Sequence, residues 1–305
     1  MFNVVKIFLF VALTFMATSS KLSAGDFIMI DAHSQFDRDV EPERIVLLLD
    51  RAGVAHVILS TRRGRLWRDV SMLAQKYPSR VTASVRTKGK HFHNNKPNYY
   101  KLLNNQLSDP TFTAMAEVIL WHAQKGNQAP EQILGVDAPQ VQEALNAALS
   151  RKWPFVIHIE FRSAKEVGDY DDQMRDLESL LKKFPTHPFA LTHVGQLSSK
   201  ESHRLFDTHK NLYLLTSRTV DLRIENSRQP WTLMVEDDTF LPEWLALIKK
   251  YPTRFILAFD NVWDWNWDES YIEAVSSWRK ALSKIPPDAA EAIAYKNAKR
   301  LWNLK

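Results

Sequence analysis

Short apolar runs alternate with amphipathic segments along almost the whole chain, and this alternation limits the fold more than any other feature. The runs are Phe27-Ile28-Met29-Ile30, Val54 to Leu59, Val81 to Val85 and Ala116 to Trp121, then Phe155 to Ile159, Phe189 to Val194, Leu212 to Leu215 and Phe255 to Phe259. Runs this short, rich in Val, Ile and Phe, read as strands buried on both faces, as in a parallel sheet. Between them, Glu43 to Arg51, Val141 to Ser150, Asp171 to Phe184 and Leu241 to Tyr251 carry the spacing of amphipathic helices. Eight such strands, alternating with helices over 305 residues, predict an α/β fold, a closed (β/α)8 TIM barrel. An open doubly wound sheet is the alternative. It would usually carry a Gly-rich phosphate turn after its first strand, where this chain has Asp31-Ala32-His33-Ser34.

No internal repeat and no Ser/Gly linker divides the pattern, so residues 25–305 are expected to form one domain. Pro286-Pro287 breaks the preceding helix, and the tail from Pro287 to Leu304 reads as an added C-terminal helix. The longest irregular stretches are Gly89 to Asn98, Ala123 to Gln132 and Asp221 to Asp238. Each follows a strand, on the face where barrels of this kind place their chemistry.

The N-terminal residues 1–24 stand outside this pattern. Lys6, an apolar run from Ile7 to Ala17 and then Thr18-Ser19-Ser20 follow the order of a secretory signal peptide, with cleavage after Ser19 or Ala24. The run is short against the roughly 20 residues that span a bilayer, which disfavours an uncleaved anchor and stable membrane insertion. The absence of cysteine excludes disulfides and a lipid-modified cysteine, so a periplasmic or secreted location rests on a large core. A net charge of +5 without a dense basic stripe argues against nucleic acid as a partner.

Candidate site residues stand at the ends of strands one, five, six and eight: His33, His158, His193 and Asp260. A parallel barrel gathers such ends around one mouth. Imidazoles with a carboxylate suit one divalent ion, Zn2+ or alternatively Mn2+. A lone histidine there is more often a satisfied polar group, but three with an Asp, in register with the strands, point to a site.

The pieces Ile30-Asp31-Ala32-His33, Val156-Ile157-His158, Leu191-Thr192-His193-Val194-Gly195, Leu257-Ala258-Phe259-Asp260 and Asn297-Ala298-Lys299-Arg300-Leu301 make the chain similar to the amidohydrolase superfamily. The resemblance is to its amidohydrolase-2 branch, which includes the aminocarboxymuconate-semialdehyde decarboxylase type. It covers nearly all of the mature chain, and its specificity lies in the order of short pieces. It implies a metal on His33, His158 and Asp260, with His193 close to the reacting group. The family's first strand normally ends His-x-His, whereas here it reads His33-Ser34-Gln35. With a strand period of two, Gln35 faces as His33 does and takes the missing histidine's place as a weak ligand candidate. Glu160, two residues after His158, is the nearest replacement carboxylate, with Glu117 behind it. Otherwise Glu160 would partner an arginine at the rim.

With a metal present, Asp260 is the expected general base and His193 the group that orients a carbonyl or stabilises negative charge. Arg62, Arg63 and Arg65 follow the second strand, Arg86 and Lys88 the third, Arg162 the fifth and Arg218 the seventh. Together they favour an anionic small-molecule substrate, with Arg62, Arg86, Arg162 and Arg218 as its candidate binders. Trp263, Trp265 and Trp267 suggest an aromatic wall at the mouth, led by Trp263, or packing against the C-terminal helix. His91-Phe92-His93 lies in a polar stretch and reads as a lid element or a fortuitous pair.

Three functions remain open. They are a hydrolase acting on a lactone, amide or ester, a metal-assisted decarboxylase on the same scaffold, and a binding barrel that has lost its metal. A homodimer also stays open.

Overall fold

The computed structural model describes residues 27–125, 130–224 and 229–305. The expected signal segment, residues 1–24, lies outside them. No helix among the described residues is long and apolar enough to cross a membrane.

Among the described residues, twelve strands appear in chain order: β1 (Ile30–Phe36), β2 (His56–Thr61), β3 (Val81–Val85), β4 (Phe112–Met115), β5 (Val118–His122) and β6 (Gln132–Ile133), then β7 (Phe155–Ile159), β8 (Phe189–Leu191), β9 (Leu212–Leu215), β10 (Val235–Glu236), β11 (Thr239–Phe240) and β12 (Phe255–Ile256). They form a four-stranded sheet, β1-β2-β3-β4, a six-stranded sheet, β12-β9-β8-β7-β5-β6, and the small β10-β11 hairpin. All pairs are parallel except β5 with β6 and β10 with β11.

The fold is of the (β/α)8 kind that the alternation predicts, but its ladder does not run unbroken round the barrel. At one seam, β4 and β5 are consecutive pieces of one path, parted by Ala116 and Glu117. β4 pairs with β3 and β5 with β7. At the other seam, single backbone bonds join the chain after β12 to β1: Ala32 N–H to Leu257 O (3.0 Å), Asp260 N–H to His33 O (2.8 Å) and Gln35 N–H to Asn261 O (2.7 Å). The register shifts within β1 between Asp31 and Ser34, and those two side chains stitch the gap. Asp31 Oδ1 accepts from Phe259 N (3.1 Å), and Ser34 Oγ accepts from Asn261 N (3.1 Å).

Helices form where the pattern places them. Helix Pro42–Ala52 starts on a proline, whose missing N–H costs nothing there, and buries Ile45, Val46, Leu48 and Leu49 on one face. It stops at Gly53, whose φ of 67° is the left-handed geometry of a helix C-cap. The expected C-terminal helix is divided into Pro287–Glu291, a wider turn over Ala292–Lys296, and Asn297–Trp302. Its Ala298 and Trp302 pack with Ile30, Ala32, Ile58, Ala114, Val156, Ala190, Leu215, Ile256 and Ala258. This second, smaller core fills the barrel interior at the end opposite the mouth, each buried Ile or Leu contributing roughly 1.5–3 kcal/mol. The tail therefore closes the bottom of the barrel. The tryptophan loop packs elsewhere, with Trp267 Nε1 donating to Gln35 O (2.8 Å).

Candidate metal and catalytic site

Glu117 is the hub of the mouth. It occupies the two-residue break between β4 and β5 and is buried. Its Oε1 faces β1 and β3. Gln35 Nε2 donates to it at 3.2 Å, the Lys88 ammonium pairs with it, and His33 Nε2 lies 3.7 Å away. Its Oε2 faces β7, where His158 Nδ1 bonds to it at 2.8 Å. Burial opposes ionisation of Glu117, but Lys88 and His158 outweigh it and hold the carboxyl well below the ordinary range. The sequence reading gave Glu117 a subordinate place. A lone acid inside the apolar run Ala116 to Trp121 was the signal that could have raised it.

Asp260, beyond β12, has a left-handed backbone (φ 50°). Its Oδ1 accepts from Gln35 Nε2 (3.0 Å) and lies 3.6 Å from His33 Nε2. Its Oδ2 faces His193 Nε2 (3.7 Å) and Arg218 Nε (3.8 Å). Burial and Glu117 both raise the Asp260 pKa, yet His193, Arg218 and Lys88 together hold it below the ordinary value.

His193 follows β8 in a turn where His193, Val194, Gly195 and Gln196 all have positive φ. Arg218, after β9, shares that geometry (φ 59°). Such backbone is costly for non-glycine residues and gathers at functional sites. His193 N–H donates to Ser217 Oγ (3.1 Å), and that oxygen lies 3.1 Å from His193 Nδ1. The carboxylate facing Nε2 favours the ring proton on that nitrogen, with the Ser217 hydroxyl then donating to Nδ1. Burial pushes the His193 pKa down to about 3, so the ring is neutral.

His158 has carboxylate partners at both ring nitrogens. Nδ1 meets Glu117, and Nε2 meets Glu160 Oε1 at 3.1 Å. Burial would lower its pKa, but the two carboxylates outweigh burial and raise it. With both ring nitrogens facing carboxylate oxygens, His158 can offer a lone pair to an ion only if one contact is given up. Glu160 meets a lysine instead of an arginine: Lys125 Nζ lies 3.3 Å from its Oε1, and its Oε2 accepts from Ala123 N (2.8 Å). His122 stacks on His158 at 5.2 Å.

Among the described residues, three groups of side chains bring ligand atoms within 4.8 Å of one another: His33, Glu117 and Asp260; Glu117, His158 and His193; and His122, His158 and Glu160. The first fits a divalent ion best. His33 Nε2 is buried with no hydrogen-bond partner among the described residues, facing two carboxylate oxygens. Gln35 Oε1 is also buried without a partner. Turning the amide over would aim that oxygen at the same two carboxylates, an arrangement only a cation between them would stabilise.

The basic candidates divide. Arg218, Arg62, Arg86 and Lys88 share the mouth. Arg86 donates to the main-chain oxygens of Arg62 (3.1 Å) and Lys88 (3.3 Å), and Arg62 lies over the Trp263 ring at 5.0 Å. Trp263 and Trp265 stack at 5.0 Å. Arg162 is exposed on helix Phe161–Val167, and Arg63 is exposed as well. Arg65 is spent on the main-chain oxygens of Asp37, Arg38 and Val40. The His91 stretch is a short helix, Lys90–His93, anchored by buried Phe92 against Tyr99 (5.1 Å), and neither histidine joins a cluster. The pairing roles of Lys88 and Lys125, the stacking of His122 and the Ser217 contact were not anticipated.

No family model matches the chain, and no curated protein does. Solved structures do. A TIM-barrel protein of Bordetella bronchiseptica, described as uncharacterized, is 15% identical, covering 91% of this chain and 99% of its own, with a TM-score of 0.57. The 4-oxalomesaconate hydratase of Rhodopseudomonas palustris is 11% identical (90% and 95% covered, TM-score 0.55). An amidohydrolase of Burkholderia multivorans with bound HEPES is 14% identical (92% and 100%, TM-score 0.53). At these identities the likeness is one of fold.

Proposed function

We propose that this chain is an exported, metal-dependent hydrolase of the amidohydrolase-2 type that cleaves a small anionic lactone, amide or ester. One observation carries the reading: the unpartnered His33 Nε2 faces Glu117 and Asp260 at 3.7 and 3.6 Å, inside a mouth ringed by Arg62, Arg86, Lys88 and Arg218. The naming of two structural neighbours as a hydratase and an amidohydrolase supports it, as do the short motifs shared with that superfamily. Export rests on residues 1–24 alone.

His33, Asp260 and Glu117 would hold the ion, Zn2+ or Mn2+. Bound there, it would supply Lewis acidity and lower the pKa of water to about 7. Asp260, ionised and flanked by Arg218, is placed to take a proton and return it to the leaving group. The Nε2–H of His193, fixed by Ser217, is a donor for developing negative charge. The arginines match substrate carboxylates with paired N–H donors. A decarboxylase would use the same groups.

Purified protein is expected to carry about one equivalent of zinc or manganese and to hydrolyse carboxylated lactones, amides or esters in preference to neutral ones. Carbon dioxide release would assign the decarboxylase instead. Protein that takes up no ion and turns over none of these substrates would leave the binding-barrel reading, which the internal pairing of Glu117 with Gln35 and Lys88 favours.

A further inference from the structure

We propose that Lys88 is a built-in competitor of the metal ion: its ammonium occupies the Glu117 oxygen that an ion on His33 and Asp260 requires, so the ion binds only as Lys88 leaves. The inference rests on the metal-site reading and concerns how that site is filled.

Three features carry it. First, the contested atom is the same. Oε1 of Glu117 receives Lys88 Nζ and Gln35 Nε2, and it is the Glu117 oxygen nearest His33 Nε2. An oxygen already facing an ammonium and an amide N–H has no lone pair left for an ion as a third partner. Second, the charges are already matched. The three buried carboxylates Glu117, Glu160 and Asp260 meet three cations, Lys88, Lys125 and Arg218, and two of the three also face His158. Adding a divalent ion to that set without displacing a cation places excess positive charge in a site of low dielectric. Third, of the two cations beside the proposed ion position, Lys88 and Arg218, Lys88 is the one able to leave. Arg218 is tied to the Asp260 main chain (3.1 Å). Lys88 instead reaches Glu117 on a flexible four-carbon stem, while its main-chain oxygen is held by Arg86 Nε (3.3 Å). Its side chain keeps 11% exposure against 1% for Glu117, so its path out runs to the mouth.

The test measures zinc affinity of the metal-stripped full chain by competition with a chromophoric chelator. Lys88→Met is expected to bind zinc at least about tenfold tighter than wild type, and Lys88→Arg no tighter than wild type. The gain should vanish in the Lys88→Met, His33→Ala double variant. Equal or weaker zinc binding by folded Lys88→Met overturns the proposal, and so does a gain that survives loss of His33. Should Lys88→Met fail to fold, zinc-soaked crystals of the wild type decide the matter. Zinc on His33 and Asp260 with Lys88 withdrawn from Glu117 supports the proposal, and zinc there with Lys88 still in place overturns it. Tight zinc binding indifferent to Lys88 would sink this inference alone. No zinc uptake by wild type or variant would remove the metal site as well.

Discussion

His33 and Asp260 face one another across the seam between the first and last strands, Nε2 to Oδ1 at 3.6 Å, without a hydrogen bond between them. A lone pair and a carboxylate oxygen held at that spacing and sealed from water gain from a shared cation. Asp260→Asn is expected to lower bound zinc to a small fraction of an equivalent and to cut kcat by at least about a thousandfold, since ligand and base are lost together. Metal analysis and turnover on the same preparation check both, and full metal content in Asp260→Asn would exclude Asp260 as a ligand.

Ser217 Oγ meets His193 at both its main-chain N–H and its Nδ1, the side of the ring away from Asp260. Ser217→Ala should reduce kcat about 10- to 100-fold while leaving zinc content and KM close to wild type. A change confined to KM would assign Ser217 to binding.

Arg62 and Arg218 are expected to recognise substrate carboxylates. Arg62→Met should raise KM roughly 10- to 100-fold for carboxylated substrates and leave neutral analogues nearly unaffected. Equal losses on both classes would show a structural role.

Glu117 lies between Lys88 and His158. Replacing it with Gln leaves two buried cations short of a partner, a loss expected to cost about 3–5 kcal/mol in denaturant unfolding. A cost under about 1 kcal/mol would mean that the pairing is not maintained in solution.

Asp31 offers a pH test. Burial pushes its pKa up to about 7, against partial relief from Ser34 and the N–H groups of His33 and Phe259. Between its unfolded value near 4 and 7, the folded state holds a proton that the unfolded chain has lost. The Asp31 contribution is therefore full at low pH and declines as pH rises through that window, by about 4 kcal/mol at most. Asp31→Asn should flatten that decline. Parallel stability–pH curves for the two proteins would rule the effect out.

Much of the barrel was legible in the chain. β3, β7 and β9 lie where the apolar runs Val81 to Val85, Phe155 to Ile159 and Leu212 to Leu215 put them, because burial on both faces leaves a dense local signal. The last strand was less legible: of the run Phe255 to Phe259, only Phe255 and Ile256 are paired in a ladder. The rest meets β1 through a backbone bond from Ala32 N–H to Leu257 O and a bond from Phe259 N–H to the Asp31 carboxylate. His33, His193 and Asp260 were found by their place at strand ends, and Gln35 by its spacing from His33. The partnerships of Glu117 with Lys88, of Glu160 with Lys125 and of His193 with Ser217 were not. Each joins different strands or loops, and their meeting depends on how the ring closes, which no local spacing encodes.

Three strands in the second half deliver His193, Arg218 and Asp260 on left-handed backbone. Glycine would rest there without penalty, and any such replacement would erase a group the mouth uses. The strain therefore stays where the chemistry is, since relieving it at any of the three would remove the side chain the turn exists to present.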